Sequence, residues 1–314
     1  MRAIRMERFG GPEVLELAEV PDLEPLRGHH LLRVSRAGVN YADVHVRGDS
    51  YLAPVTLPYT PGNEVVGRTA DGKRFVGLTQ GGGYAEQALV HRLTSWEVPE
   101  EVSDEQALAL CLQGNSAYHL LHTVVGLRAG EKVVIPAAAG GLGSIAVQLA
   151  KELGATVIAL ASTEDKRRLA EKLGADIVVD STSDNLTEDI TKAAGGQVQA
   201  ALEMTGGATF HSVLDAVANR GRLAVYGYAS GETAEVPTKV LMERSITVAG
   251  FWLPSLFSDR QALRTSMNAL FGAVHEGSLH PVLGQVYPLN EASAAHANLA
   301  ARTHTGKLSL DTAG

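Results

Sequence analysis

The sequence predicts an α/β protein in which a doubly wound parallel sheet follows a mostly β domain. Three observations carry that expectation. Lys132 to Gly154, KVVIPAAAGGLGSIAVQLAKELG, reads as strand, glycine-rich turn, then helix. Further short apolar runs, Thr156 to Leu160, Ile177 to Val179, Ala200 to Glu203, Arg222 to Tyr226 and Ile246 to Ala249, continue a strand and helix alternation. The first hundred or so residues instead show period-two alternation broken by glycine pairs.

Within the first of these, Val133, Val134 and Ile135 suit a buried parallel strand. The helix then places Ile145, Ala146, Leu149, Ala150 and Leu153 on one face, and Gly154 stands where a C-terminal cap is expected. A helix N-terminus offers unpaired N–H groups and partial positive charge, so Ala139, Gly140, Gly141, Leu142 and Gly143 make a candidate pyrophosphate cradle. The motif is AxxGxxG, with Ala137 in the first place, so a plain tight connection is the alternative; the strand and second helix that follow favour a dinucleotide site.

Upstream, Gly10-Gly11-Pro12 separates two short strands and His30 to Ser35 alternates as a half-buried strand. Asp71-Gly72 marks a hairpin between Val66–Thr69 and Arg74–Gly77, and Gly81-Gly82-Gly83 makes another break. Helix is expected from Ser103, where Asp104 and Glu105 suit a first turn. Downstream, Asp259 to Gly277 is an amphipathic helix, and Lys307 to Leu310 is a strand expected to rejoin the first domain.

Composition narrows the function classes. At 314 residues, 45% hydrophobic and 20% charged, the chain is an ordinary globular sequence of about two domains. No apolar run approaches the roughly 18 residues of a membrane span. The start, MRAIRMERFG, lacks a signal-peptide core, and the single cysteine, Cys111, forbids an internal disulfide; a cytoplasmic location is expected. A net charge of −8 argues against a nucleic-acid partner.

FGGPEVLEL (9–17), AGVNYADVHVRGDSY (37–51), PGNEVVG (61–67), GGYAE (82–86), AAAGGLGSIAVQLAKELGA (137–155), GRLAVYG (221–227), ITVAGFWL (246–253) and HTGKLSL (304–310) occur in that order. Together they resemble the medium-chain dehydrogenase/reductase superfamily, in its zinc-free quinone oxidoreductase (zeta-crystallin-like) branch. The resemblance covers nearly the whole chain. It implies a GroES-like catalytic domain over 1–117 and 263–314, a Rossmann domain over 118–262, and a nicotinamide at the cleft between them. It places Asn40 and Tyr41 beside the nicotinamide, Tyr51 at the cleft mouth, Ser116 near the carboxamide and Phe251-Trp252-Leu253 along the inner wall. Ser181 and Gly227 fall at further cofactor positions. The strand at 246–253 implies a homodimer paired edge to edge. Tyr41, Phe251 and Trp252 also read as ordinary core or interface residues.

Zinc-dependent relatives use Cys, His and Cys; Asn40 and Asn63 stand in the first two places, and one cysteine cannot make a structural site of four thiolates. Glu64 falls where those enzymes hold a carboxylate behind the metal and reads here as a buried, paired residue. His119 and His122, three apart on a helix, read as helix-surface or core side chains. Without a Lewis acid or strong base, alcohol oxidation is disfavoured. A quinone that takes a hydride becomes a hydroquinone anion that solvent can protonate, which fits NADPH-dependent quinone reduction.

NAD-type enzymes carry an acid about 20 residues after the glycines; here Ala161 stands there, followed by Ser162, Thr163 and Lys166, which favours a 2′-phosphate and hence NADPH. Ser162 or Thr163 as a simple helix cap, with Lys166, Arg167 and Arg168 solvated, is compatible with that. Where the family often has Asn-Tyr after the third strand, this chain has Asp180-Ser181. Two other functions stay open: a 2-enal or enoyl-thioester reductase with Tyr51 as proton donor, and a non-enzymatic NADPH-binding protein with a structural or RNA-associated role.

Overall fold

The structure, a computed structural model, describes residues 1–313. Two compact units appear: Met1–Gln113 with Leu256–Glu276 and the chain from Pro281 onward, and Gly114–Ser255 with Gly277–His280. The first two crossings fall at 113/114 and 255/256, where the sequence reading places them at 117/118 and 262/263, and the chain crosses twice more, at 276/277 and 280/281.

The first unit opens with β1 (Arg2–Arg5) antiparallel to β2 (Glu16–Glu19). β3 (His29–Gly38) follows, then α1 (Tyr41–Arg47), the hairpin β4 (Glu64–Arg68) and β5 (Arg74–Leu78), β6 (Gln87–His91) and β7 (Ser95–Glu97). The hairpin turn closes through Gly72 N donating to Thr69 O at 2.9 Å and Thr69 N to Lys73 O at 3.0 Å, at the Asp71-Gly72 signal. α2 (Asp104–Ala109) starts on a capping box: Gln106 N donates to Ser103 Oγ at 3.1 Å and Ser103 N to Gln106 Oε1 at 2.9 Å.

The second unit carries α3 (Asn115–His119), β8 (Lys132–Ile135), α4 (Gly141–Glu152), β9 (Thr156–Ala161), α5 (Glu164–Lys172), β10 (Ile177–Asp180), α6 (Leu186–Ala193), β11 (Val198–Glu203), α7 (Gly207–Ala216), β12 (Val217–Val225), α8 (Thr238–Arg244) and β13 (Thr247–Gly250). Its strands pair parallel in the order β10-β9-β8-β11-β12-β13. This is the doubly wound order, with the reversal between β8 and β11. All six expected strands are present. The core between sheet and helices includes Val134, Ile158, Leu160, Ile190, Phe210 and Leu223, all fully or almost fully buried. α4 ends where Gly154 takes φ +78°, a left-handed conformation that costs glycine nothing.

The chain then returns to the first unit through α9 (Arg260–Glu276), β14 (Leu283–Pro288), α10 (Ala292–Ala301) and β15 (Lys307–Asp311). β15 lies antiparallel to β3, with Ser309 opposite Gly38, and completes a seven-stranded sheet in which β6 also pairs with β3. Ile4, Leu32, Val65, Tyr84, Leu308 and Leu310 sit in the core beneath it. Among the described residues no helix is long and apolar enough to cross a membrane.

Candidate dinucleotide site and the buried polar cluster

The glycine turn joins β8 to α4 at the carboxyl edge of the parallel sheet, where open α/β sheets bind ligands. Gly140 is the extended N-cap of α4 at φ −81°, ψ 178°. The helical ladder begins with Ser144 N donating to Gly140 O at 3.0 Å, so the first-turn N–H groups of Gly141, Leu142 and Gly143 are not used by it. Ala139 and Gly143 are buried against the turn. A methyl added at Gly143 would stand 2.2 Å from Ala137 O and 2.9 Å from Ala138 Cα, so this helix can approach the strand only as glycine.

Several other cofactor candidates of this unit follow the carboxyl ends of its strands. Ser162 and Thr163 follow β9; Thr163 caps α5, its Oγ1 accepting from Lys166 N at 3.4 Å. Lys166 is half-buried, and burial lowers its ammonium pKa. Ser181 follows β10, Gly227 follows β12 and Phe251 follows β13, with Phe251 N donating to Val225 O at 2.8 Å. The Phe251 ring stacks toward His119, centroids 6.3 Å apart. Leu253 is buried, Trp252 is 37% exposed, and Ser116 is buried in α3.

Asn40, Tyr41 and Tyr51 belong to the other unit. Asn40 is buried and its amide is committed on both sides: Nδ2 donates to Glu64 Oε1 at 2.9 Å, while Oδ1 accepts from Lys307 Nζ at 2.8 Å and Gln113 Nε2 at 3.2 Å. Lys307 also pairs directly with Glu64, whose second oxygen accepts from Leu112 N at 2.9 Å. Glu64 is thus buried and paired, as its sequence context indicated. Tyr41 packs half-buried against the core, its ring 5.5 Å from His45, and Tyr51 is half-buried.

A second buried group adjoins through Asp43 at the third position of α1. Asp43 Oδ2 accepts from Asn40 N at 2.9 Å and Tyr84 Oη at 3.3 Å, and Oδ1 accepts from Asn63 Nδ2 at 2.7 Å. Tyr84 Oη also lies 3.0 Å from His296 Nε2. Burial pushes the imidazole down to about 3, so it is neutral at physiological pH. Sequence reasoning did not single out Lys307, Gln113, Asp43 or His296. The available signal was a lysine and a histidine inside otherwise apolar segments, KLSL and AAHANLA. Glu203, closing β11, was also missed: fully buried, it accepts from Thr205 N at 2.7 Å and Gly206 N at 3.2 Å and fixes that turn.

Burial pushes the Asp43 carboxyl up to about 7, outweighing the three hydrogen bonds that favour its charge. In the unfolded chain it titrates at about 3.9. Its proton is therefore held by the folded state between these values; that stabilisation is complete below about pH 4 and is lost as pH rises to about 7. Thermal unfolding from pH 5 to 8 should show stability falling by an amount on the order of a few kcal/mol across this window, and Asp43→Asn should flatten that slope.

Among the described residues no group of three or more His, Cys, Asp or Glu side chains is arranged to hold a metal ion. The His119 Nδ1 lies 3.0 Å from Thr123 Oγ1, and the His122 ring stacks on Tyr118 with centroids 4.1 Å apart. Cys111 is buried, and burial raises its thiol pKa well above the usual range.

A six-stranded doubly wound sheet with a glycine turn at its carboxyl edge, carried with a separate, mostly antiparallel sheet unit, defines a two-unit dinucleotide-binding class. Known proteins narrow that class. A family model for zinc-binding dehydrogenases matches residues 141–271. The chain is 32% identical to the quinone oxidoreductase of Homo sapiens over 312 residues, 95% of this chain and 94% of that one. It is also 32% identical to the quinone oxidoreductase of Pseudomonas aeruginosa over 322 residues, covering 98% and 99%. The Thermus thermophilus quinone oxidoreductase, whose crystal structures include a complex with NADPH, superimposes with a TM-score of 0.90 at 36% identity, covering 99% of this chain and all of that one. The Escherichia coli quinone oxidoreductase complexed with NADPH gives 0.94 at 29%, with 99% and 100% covered. The chain belongs to the quinone oxidoreductase branch of the medium-chain dehydrogenase/reductase superfamily.

Proposed function

We propose that the protein is an NADPH-dependent quinone oxidoreductase that works without zinc. The observation that carries this reading is what Asn40 and Asn63 do. Where zinc-dependent relatives present a thiolate and an imidazole, these two residues offer carboxamides that already donate to Glu64 and Asp43. Carboxamides so engaged are poor zinc ligands. An acceptor that needs no Lewis acid fits such a site, and a quinone is one, because the anion left after hydride addition is stable enough for water to protonate.

Bound NADPH supplies the hydride; the chain supplies binding and orientation. The first-turn N–H groups of α4 receive the pyrophosphate, and the glycines let it approach. Ser162, Thr163 and Lys166 receive the 2′-phosphate, with Ala161 offering no competing acid. Tyr41 and Tyr51 present aromatic faces to a planar acceptor. Asn40, locked by Glu64 and Lys307, keeps its part of the site rigid. The edge strand β13, with Met242 at 73% and Trp252 at 37% exposure near it in sequence, suits pairing with a second copy as a homodimer. The lone buried cysteine and the acidic charge suit a cytoplasmic enzyme without nucleic-acid partners.

Steady-state oxidation of NADPH and NADH with a para-quinone, an ortho-quinone and a 2-enal tests this. NADPH with a quinone should turn over saturably. Lys166→Ala should raise the NADPH KM about tenfold with kcat kept, the signature of lost uniform binding. Tyr51→Phe should cost quinone turnover less than about tenfold, because no protein acid is required. Turnover of the enal alone, abolished by Tyr51→Phe, would replace this reading with an enal or enoyl-thioester reductase. NADPH binding with no turnover of any acceptor would make the protein non-enzymatic.

A further inference from the structure

The ends of β9 and β10 hold a charge arrangement that bears on cofactor choice. β9 and β10 are in register, Ala161 opposite Asp180, so a carboxylate stands one strand away from the place where NAD-type enzymes carry their ribose-binding acid. Left open, it would repel a 2′-phosphate and accept a 2′-hydroxyl. It is not open. Asp180 Oδ1 accepts from Thr182 N at 2.9 Å and Thr182 Oγ1 at 2.7 Å, and Oδ2 takes Arg167 Nη1 at 3.0 Å. The same Nη1 donates to Ala161 O at 3.2 Å, so the guanidinium is pinned across both strand ends.

Arg167 differs in this from its neighbour in sequence. Arg168 points to Glu164, with Asp165 at 4.0 Å, along the exposed face of α5. The Arg167 side chain is only 23% exposed, and among the described residues its Nε and Nη2 donate to nothing. A planar fork with donors to spare is the side chain that binds phosphate oxygens in pairs.

The geometry points to Arg167 as a determinant of the choice between NADPH and NADH: it covers the Asp180 carboxylate and keeps Nε and Nη2 for the 2′-phosphate. This rests on the NADPH reading and adds to it a residue beyond Ser162, Thr163 and Lys166. It also gives Asp180 a part, since the acid orients the arginine instead of binding the ribose. Arg167 is thereby doubly coupled to cofactor choice, because removing it takes away a phosphate donor and uncovers an acid.

Calorimetric titration of the purified protein with NADPH and, separately, NADH tests the inference without any turnover. Arg167→Gln should weaken NADPH about tenfold or more while NADH stays within about twofold or tightens. Adding Asp180→Asn to it should regain about threefold or more of the NADPH affinity, because the uncovered charge is gone. A purely structural role would move both dissociation constants together, and that result overturns the inference. So does an unchanged NADPH preference in Arg167→Gln. Absence of the rescue refutes the covering of Asp180. Should Arg167→Gln not fold, Arg167→Lys decides alone: a single ammonium cannot hold both strand ends and a phosphate, so the preference should fall about threefold or more, and an unchanged preference overturns the proposal. Equal wild-type affinities would overturn the NADPH reading itself and this inference with it, whereas a wild-type preference that survives Arg167→Gln overturns only the latter.

Discussion

Lys307→Ala is expected to lower stability by about 3–5 kcal/mol, the range for removing one partner of a buried ion pair. The lysine side chain is 2% exposed and that of Glu64 is not exposed at all. Without the ammonium, Glu64 keeps only the Asn40 Nδ2 and Leu112 N hydrogen bonds, which leave a buried negative charge without a cation. Asn40 Oδ1 simultaneously loses one of its two donors. The cost belongs mostly to the stranded charge and not to the net worth of the pair. Combining Lys307→Met with Glu64→Gln should therefore recover most of the loss, although it removes one more native group. Urea unfolding of the four proteins of this cycle gives the coupling directly, and a double variant as unstable as Lys307→Met alone would contradict the account. Because the pair anchors Asn40, the double variant should regain stability while quinone turnover stays depressed.

Most of the second unit could be read from the chain because local pattern and tertiary environment agree there. The inner strands β8, β9 and β11 are short apolar runs buried along most of their length, and α6 and α7 each bury an apolar face against them, so burial and period give the same answer there. β12 is the instructive departure. It begins at Val217, five residues before the expected Arg222, and runs through Asn219-Arg220-Gly221, a stretch whose composition signals a turn. Its register against β11 shifts between Val198 and Ala200, which accommodates the irregular start. Arg220 there takes φ +62°, a conformation that no periodicity reveals. In the first unit the hairpin at Asp71-Gly72 was legible from its turn chemistry, whereas the pairing of β15 with β3 joins residues too distant for any local rule.

The candidate site divides along the same line. The glycine turn and the cap at Thr163 are encoded within a few consecutive residues, so spacing reveals them. Asn40, Glu64, Gln113 and Lys307 come from four separate segments and meet only because β3, β4 and β15 share a sheet. Arg167 shows the same limit at short range. In sequence it is the middle of a Lys-Arg-Arg run on an amphipathic helix, which reads as solvated; only the register of β9 with β10 brings Asp180 under it.

Gly143→Ala is expected to have the largest effect on dinucleotide binding of any single methyl added to this chain, and Ala137→Gly, six residues earlier, almost none. At Gly143 the added carbon would meet Ala137 O at 2.2 Å, Ala137 C at 2.7 Å and Ala138 Cα at 2.9 Å. All three are backbone atoms, so no side chain can rotate away, and the turn itself has to move by about 1 Å to reach an ordinary contact. That movement displaces the N–H groups at the start of α4 from where a pyrophosphate needs them. A misplacement of this size costs on the order of 100-fold in catalytic efficiency, and overpacking of this kind costs about 1–3 kcal/mol of stability. Ala137 presents the converse case: it is exposed and takes φ +47°, where a side chain is strained by about 1–2 kcal/mol and glycine is not. Glycine's larger unfolded-state entropy offsets most of that relief, so Ala137→Gly should change stability by less than about 1 kcal/mol and leave NADPH binding close to wild type. Titration with NADPH and thermal unfolding of both variants decide the matter. A Gly143→Ala protein that binds NADPH like the wild type would show that the close approach of α4 to the turn does not govern the site.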